Sequence, residues 1–312
     1  MRILHLHESA VPVMLLSISV ACGGNDGGEQ REQEGNLAPE EEIMLADVGF
    51  ATPESVRHDA VTDVYLVSNI NGDPFAADGN GFISRISPAG EILDLKWIDG
   101  EAEGVTLNAP KGMAIADDRL YVTDINTVRV FDRTTGEPVG EIALDGTTFL
   151  NDAAAGMDGS IYITDSGFNP GFAPSGTDAV YRISPDGSIE TLATGSVLGG
   201  PNGVALVNGA VWVVSFGSGE LYRIADGGAH ETAALPSGSL DGLEGHAGQL
   251  FVSSWEGQSI LRGTPGGTFA VAFSGLEAPA DFGIDATRDR LLVPLFQANE
   301  VRIIPMAPAS SE

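Results

Sequence analysis

One short apolar strand returns six times along this chain, and no other feature restricts its fold as tightly. The copies occupy 64–68, 120–124, 161–165, 211–215, 250–254 and 291–295, from Val64-Tyr65-Leu66-Val67-Ser68 to Leu291-Leu292-Val293-Pro294-Leu295. β-Branched and aromatic residues dominate them, and Gly, Asp or Asn bound them, which is the pattern of buried strands. Each is followed by a strand with an arginine among apolar residues, as in Ile83-Ser84-Arg85-Ile86 and Leu221-Tyr222-Arg223-Ile224. Most units add an edge-like strand, such as 91–97 or 188–192. No stretch carries the period of an amphipathic helix, and 41 Gly with 17 Pro suit tight turns between short strands. Six four-stranded units of roughly 40–55 residues predict an all-β chain folded as a six-bladed β-propeller.

The sixth unit ends at Met306 without room for a fourth strand, while 44–50 is a spare strand ahead of the first unit. An open ring would expose strand edges, so the N-terminal strand is expected to complete the last blade. Removing 44–50 should then destabilise the whole body, and removing 23–41 should not.

The chain begins with a short polar stretch, an apolar run over 11–20, and Ser19-Val20-Ala21-Cys22-Gly23-Gly24. The run is shorter than the ~20 residues that span a bilayer as a helix. The layout is that of an export signal, and its end resembles a bacterial lipoprotein box in which Cys22 is lipidated. Residues 1–22 are therefore expected to be a signal, 23–42 a flexible acidic tether, 43–308 the propeller and 309–312 a tail. The expected location is periplasmic or cell-surface, with the membrane touched only through the lipid anchor. Cys22 is the single cysteine, so no intrachain disulfide forms. A net charge of −29 and a pI near 4.2 exclude a phosphate-neutralising face, hence nucleic acid as partner. A monomer is expected.

A second repeat runs beside the first. A short turn precedes each unit: Pro53-Glu54, Pro110-Lys111, Leu150-Asn151, Pro201-Asn202, Leu240-Asp241 and Pro279-Ala280. If these are equivalent positions of a closed ring, Glu54, Lys111, Asn151, Asn202 and Asp241 meet on its axis. Two carboxylates and two amide oxygens suit a hard cation, and no Cys or His recurs there to suggest zinc. Calcium fits best, then magnesium or manganese. Asn-Gly and Asp-Gly are ordinary turn dipeptides; the shared offset is what makes a site of them. The long connections 69–81 and 166–178 should overhang the axis and bring Phe75, Phe168 and Phe172 as pocket walls. His58, His230 and His246 form no spaced cluster. No Gly-x-Ser-x-Gly elbow appears, and Gly199-Gly200 and Gly266-Gly267 lack the following helix of a phosphate loop.

The order Glu54, Asn151-Asp152, Pro201-Asn202-Gly203, Asp241-Gly242 resembles the SMP-30/gluconolactonase/LRE family of six-bladed propellers, to which paraoxonase-type lactonases are related. The likeness covers about residues 48–306. It implies a divalent cation, usually calcium, held by Glu54, Asn151, Asn202 and Asp241 and polarising a lactone carbonyl. Asp241 would be both ligand and general base, with Asp152 a supporting carboxylate behind the ligands. Two positions depart from the family. Phe149 stands where gluconolactonase-type members place an arginine, which argues against a sugar-acid lactone. Lys111 lies near where paraoxonase-type enzymes place a histidine; it would move a proton, stabilise an oxyanion, or pair with Glu54 and Asp241 in the cation's place. The expected function is hydrolysis of a small-molecule lactone or related ester. The alternative is a non-catalytic propeller that binds a ligand or protein and keeps the metal for structure, since the fold alone does not decide.

Overall fold

The computed structural model describes residues 41–306. The signal at 1–22 with Cys22, the tether up to residue 40 and the tail at 309–312 lie outside the described residues. Six four-stranded antiparallel sheets are arranged as propeller blades. From the innermost strand outward, blade 1 is Pro53–Asp59, Val64–Asn69, Phe82–Ile86 and Ile92–Asp99. Blade 2 is Pro110–Ala116, Arg119–Asp124, Thr127–Asp132 and Pro138–Ala143. Blade 3 is Leu150–Ala155, Ile161–Asp165, Ala179–Ile183 and Ile189–Thr194. Blade 4 is Pro201–Val207, Ala210–Ser215, Glu220–Ala225 and Gly228–Ala234. Blade 5 is Leu240–His246, Gln249–Ser254, Ser259–Gly263 and Phe269–Ser274. Blade 6 is Gly283–Asp285, Arg290–Leu295 and Glu300–Pro305, and its outer strand is Ile43–Leu45, from the other end of the chain.

Met44 pairs with Arg302 in antiparallel register, so the N-terminal strand closes the ring. It is shorter than expected: three residues pair, and the chain then turns in toward blade 1, where Phe50 is buried. The same junction is sealed near the axis, where Asp281 N–H donates to Glu54 O at 2.9 Å and Val56 N–H donates to Asp281 O at 3.1 Å.

The apolar interior is divided among the blade junctions rather than gathered in one core. One cluster joins blades 1 and 2 through Leu66, Ile83, Met113 and Val122. Others join each next pair, such as Val128 with Ile163, Val180 with Val213, Val214 with Val252, and Phe251 with Val293. At the closure Leu45, Tyr65, Val67, Leu292 and Ile303 pack together. Both faces of every second strand are covered by neighbouring blades, which is why those strands read as continuous apolar runs instead of alternating. The only helical element among the described residues is a 3-10 turn at Ser196–Leu198, and no helix is long and apolar enough to cross a membrane.

Candidate functional site

Five of the six copies of the Pro53-Glu54 motif form bulges inside the innermost strands, a correction to the turn expected from the repeat, whereas Pro279-Ala280 lies ahead of its strand. Strand pairing breaks between Pro53 and Ser55, Pro110 and Met113, Leu150 and Ala153, Pro201 and Val204, and Leu240 and Leu243. A bulge leaves residues out of the ladder and re-aims their side chains. Here it frees the second residue of each copy to face the axis. The stranded peptide groups are satisfied by hydroxyls of the second strands. Thr164 Oγ1 accepts from Asp152 N–H at 3.0 Å and donates to Asn202 O of the next blade at 2.6 Å. Ser253 Oγ does the same for Gly242 N–H (2.7 Å) and Ala280 O (3.0 Å). The third bulge residue is often glycine because adjacent bulges nearly touch: a Cβ on Gly203 would lie 2.4 Å from Asp241 O.

Glu54, Lys111, Asn151, Asn202 and Asp241 do converge, forming the floor of one cavity of about 350 Å³. All five are buried. Ala280, the sixth copy, brings no polar group. Glu54 Oε2, Asn202 Oδ1 and Asp241 Oδ1 are buried without a hydrogen-bond partner. Asn151 Nδ2 donates to Ser166 Oγ at 2.9 Å, and Ser166 Oγ donates onward to Pro201 O at 2.7 Å. That chain fixes the amide so that its oxygen is the end left for a ligand. Burial, then the nearby Asp241 and Asp281, pushes the Glu54 carboxyl well above the usual carboxylate range, with Lys111 partly opposing. Burial, then Asp281, does the same to Asp241.

Unpaired buried oxygens are costly, and two amide plus two carboxylate oxygens are a donor set for a hard divalent cation. Among the described residues no group of three or more His, Cys, Asp or Glu forms a metal cluster. The floor differs from such clusters in taking half its donors from asparagine. Four protein oxygens would leave about two to four positions of a calcium shell for water and substrate.

Lys111 Nζ donates to Ala109 O at 3.1 Å and lies 4.3 Å from the centre of the Phe149 ring. Among the described residues it forms no ion pair within 4.0 Å. The ammonium is thus drawn to the ring wall instead of standing between Glu54 and Asp241. Burial outweighs its attraction to Glu54 and Asp124 and brings its pKa down to about 8.

Beneath the floor lies a layer that sequence reasoning missed, apart from Asp152. Arg57 occupies the channel: Nε donates to Met113 O (2.8 Å) and Nη1 to Phe282 O (2.9 Å) and Glu244 Oε1. Its Nη2 donates to Asp152 Oδ1 at 3.2 Å and to Asp281 Oδ2 at 3.0 Å. One guanidinium therefore ties blade 1 to blades 2, 3, 5 and 6. Asp152 Oδ2 also accepts from Val204 N–H at 2.8 Å, and Asp281 Oδ2 accepts from Ser55 Oγ at 2.5 Å. These bonds brace the bulges that carry Asn151, Asn202 and Glu54. A signal existed in the sequence. Three residues beyond the floor positions stand Arg57, Ala114, Ala154, Ala205, Glu244 and Gly283: one cation, one anion and four small residues that make room for the pair.

The walls are aromatic. Phe168 lies on a two-strand hairpin, Phe168–Asn169 with Ala173–Pro174, inside the long third-blade loop, and Phe172 forms its tip. Phe149 packs on Phe75 at 4.7 Å and on Phe168 at 5.9 Å, and Phe172 meets Phe75 at 5.3 Å. A second arc, Phe216, Trp255 and Phe296, has ring centroids 5.5 and 5.0 Å apart. These three were also missed, although each directly follows the second strand of its unit, as Ser215-Phe216, Ser254-Trp255 and Leu295-Phe296. The His58 side chain, 6% exposed, sits between Asp63 and Asp285, whereas His230 is exposed and His246 pairs with Asp289; none lines the cavity.

No protein-family model matches the chain. Over 139 residues it is 28% identical to virginiamycin B lyase of Nocardia farcinica (strain IFM 10152), a match covering 44% of this chain and 46% of that protein. The chain thus spans under half the length of this curated relative. Among solved structures, a gluconolactonase from Xanthomonas campestris superposes with a TM-score of 0.58 at 18% identity, over 87% of this chain and 99% of that one. A luciferin-regenerating enzyme gives 0.62 at 13% identity, over 85% and 95%. Catalytically inactive virginiamycin B lyase from Staphylococcus aureus with quinupristin gives 0.57 at 16% identity, over 86% and 100%. At these identities the likeness is one of fold, a six-bladed propeller.

Proposed function

We propose that this protein is a divalent-cation-dependent hydrolase of lactones or related esters, of the SMP-30/gluconolactonase type. One observation carries the reading: the partnerless buried oxygens of Glu54, Asn202 and Asp241 meet Asn151 at the floor of an apolar-walled cavity. Glu54, Asn151, Asn202 and Asp241 would hold the cation, with calcium preferred over magnesium and manganese. When bound, the cation supplies Lewis-acid polarisation of the ester carbonyl.

The protein groups do the rest. The aromatic walls surround the reacting groups with apolar surface. Asp241 accepts the proton of the attacking water as the new C–O bond forms. It returns the proton to the alkoxide as the ester C–O bond breaks. Lys111, with a pKa near 8, presents an ammonium that offsets charge developing on the carbonyl oxygen. Export and lipidation at Cys22 are part of the same proposal, as is action as a monomer.

A second reading, a lyase that cleaves by elimination, draws on the stretch shared with the Nocardia farcinica protein. Against it, the Staphylococcus aureus lyase is catalytically inactive once one histidine is replaced by alanine, and no described histidine lines this cavity. The test is turnover of a lactone and aryl-ester panel in heavy-oxygen water, with calcium or chelator, for wild type, Asp241→Asn and Lys111→Ala. Hydrolysis places the label in the product acid; elimination does not. A cation that raises the melting temperature while no ester is cleaved would leave the ligand-binding alternative in place.

A further inference from the structure

The walls say what kind of molecule the floor acts on. Above the five polar floor residues, the cavity is lined by Ile70, Pro74 and two arcs of aromatic rings. The first arc is Phe149, Phe168 and Phe172; the second is Phe216, Trp255 and Phe296. No arginine, serine, threonine, glutamine or histidine stands among the lining residues. The wall carries one polar atom free to turn to a ligand: Trp255 Nε1 is buried and faces the Asp241 carboxyl closely enough to lower its pKa, yet neither it nor Asp241 Oδ1 has a hydrogen-bond partner within 3.5 Å.

We propose that the ligand is a compact, ring-bearing apolar lactone or aryl ester, with Trp255 Nε1 donating to one of its oxygens. The reactive end rests on the hydrolase reading above, whereas the apolar body follows from the walls alone. Flat rings offset or edge-on at these spacings accept another flat apolar group. A polyhydroxylated ring would lose its water without gaining partners, at roughly five- to a hundredfold in affinity per buried hydroxyl. A cavity near 350 Å³ sits at the small end of ligand pockets, which limits the body to one or two rings. Trp255 belongs to the wall and reaches the substrate directly, so its indole N–H is a specificity-determining contact. It discriminates for an ester oxygen placed beside Asp241 and against a hydrocarbon of the same shape.

The experiment separates ligand class from chemistry. Calorimetry on the full chain compares two non-hydrolysable lactams, dihydroquinolinone and gluconolactam. Turnover is followed in parallel with the matching lactones, dihydrocoumarin and gluconolactone. The expected result is binding of dihydroquinolinone at least a hundredfold tighter than gluconolactam. Trp255→Phe, which keeps an aromatic wall and removes the donor, should weaken that binding about tenfold with an unchanged melting temperature. Gluconolactam binding as tightly as dihydroquinolinone overturns the proposal, as does an affinity unmoved in Trp255→Phe. Tight dihydroquinolinone binding without cleavage of either lactone supports the ligand class and overturns the hydrolase reading instead.

Discussion

Arg57→Met is the substitution whose cost follows most directly from the geometry. The guanidinium spends its N–H groups on Met113 O, Phe282 O, Glu244, Asp152 and Asp281. Methionine matches the stem and removes the fork, leaving three carboxyls in the channel without their cation. Deleting one partner of a buried pair costs about 3–5 kcal/mol, and a cation shared by three acids belongs at the upper end. At about 2 °C per kcal/mol for a domain of this size, the melting temperature should fall by about 10 °C. The loss should depend on pH with a defined sign. Burial already raises the Asp152, Asp281 and Glu244 carboxyls, while Arg57 opposes it in each. Without Arg57 their folded-state pKa values rise further. A group with a raised folded pKa contributes stability that is full below its unfolded pKa and is lost as pH rises through the folded one. The deficit of Arg57→Met should therefore grow as pH rises above about 7, where Glu244 loses its proton in the wild type while the variant's carboxyl still holds it. Arg57→Lys keeps the charge but not the fork and should fall between the two. Arg262→Met, at an exposed arginine, is the control and should stay within about 0.5 kcal/mol. Thermal melts of the metal-free protein on both sides of that pH decide the matter. A melting temperature within about 2 °C of wild type, or a deficit that does not change with pH, refutes the clamp.

Other outcomes follow from the same structure. Calcium at a hundred times its dissociation constant should stabilise the fold by about 2.7 kcal/mol; chelator should reverse this in a melt, and Glu54→Gln or Asn202→Ala should abolish it. Glu244 titrates near 7 instead of 4.5, so it makes metal-free stability decline as pH rises through that interval. Glu244→Gln should flatten that part of the pH–stability curve measured in urea. Leu45→Ala opens a cavity in the closure cluster and should cost about 2–5 kcal/mol although it lies in a three-residue strand at the chain's edge. Gly203→Ala sets a methyl against Asp241 O and should cost about 1–3 kcal/mol while weakening calcium binding in calorimetry.

What the sequence by itself determined is the part that repeats. The six apolar strands, their Gly and Asp boundaries and the spare N-terminal strand specify blade number and closure, because strand patterning is local and each copy confirms the others. The shared offset of Glu54, Lys111, Asn151, Asn202 and Asp241 was likewise legible. Their convergence was legible only on the condition that the ring closes, since positions tens of residues apart acquire a distance only then. The bulges that aim these side chains depend on hydroxyls from second strands and on glycines that let adjacent blades approach. Tertiary structure alone also placed Arg57, Glu244 and Asp281 in one layer under the floor, and Phe216, Trp255 and Phe296 in one arc above it. Each is a single residue in its own blade, and its chemistry comes from neighbours that other blades supply.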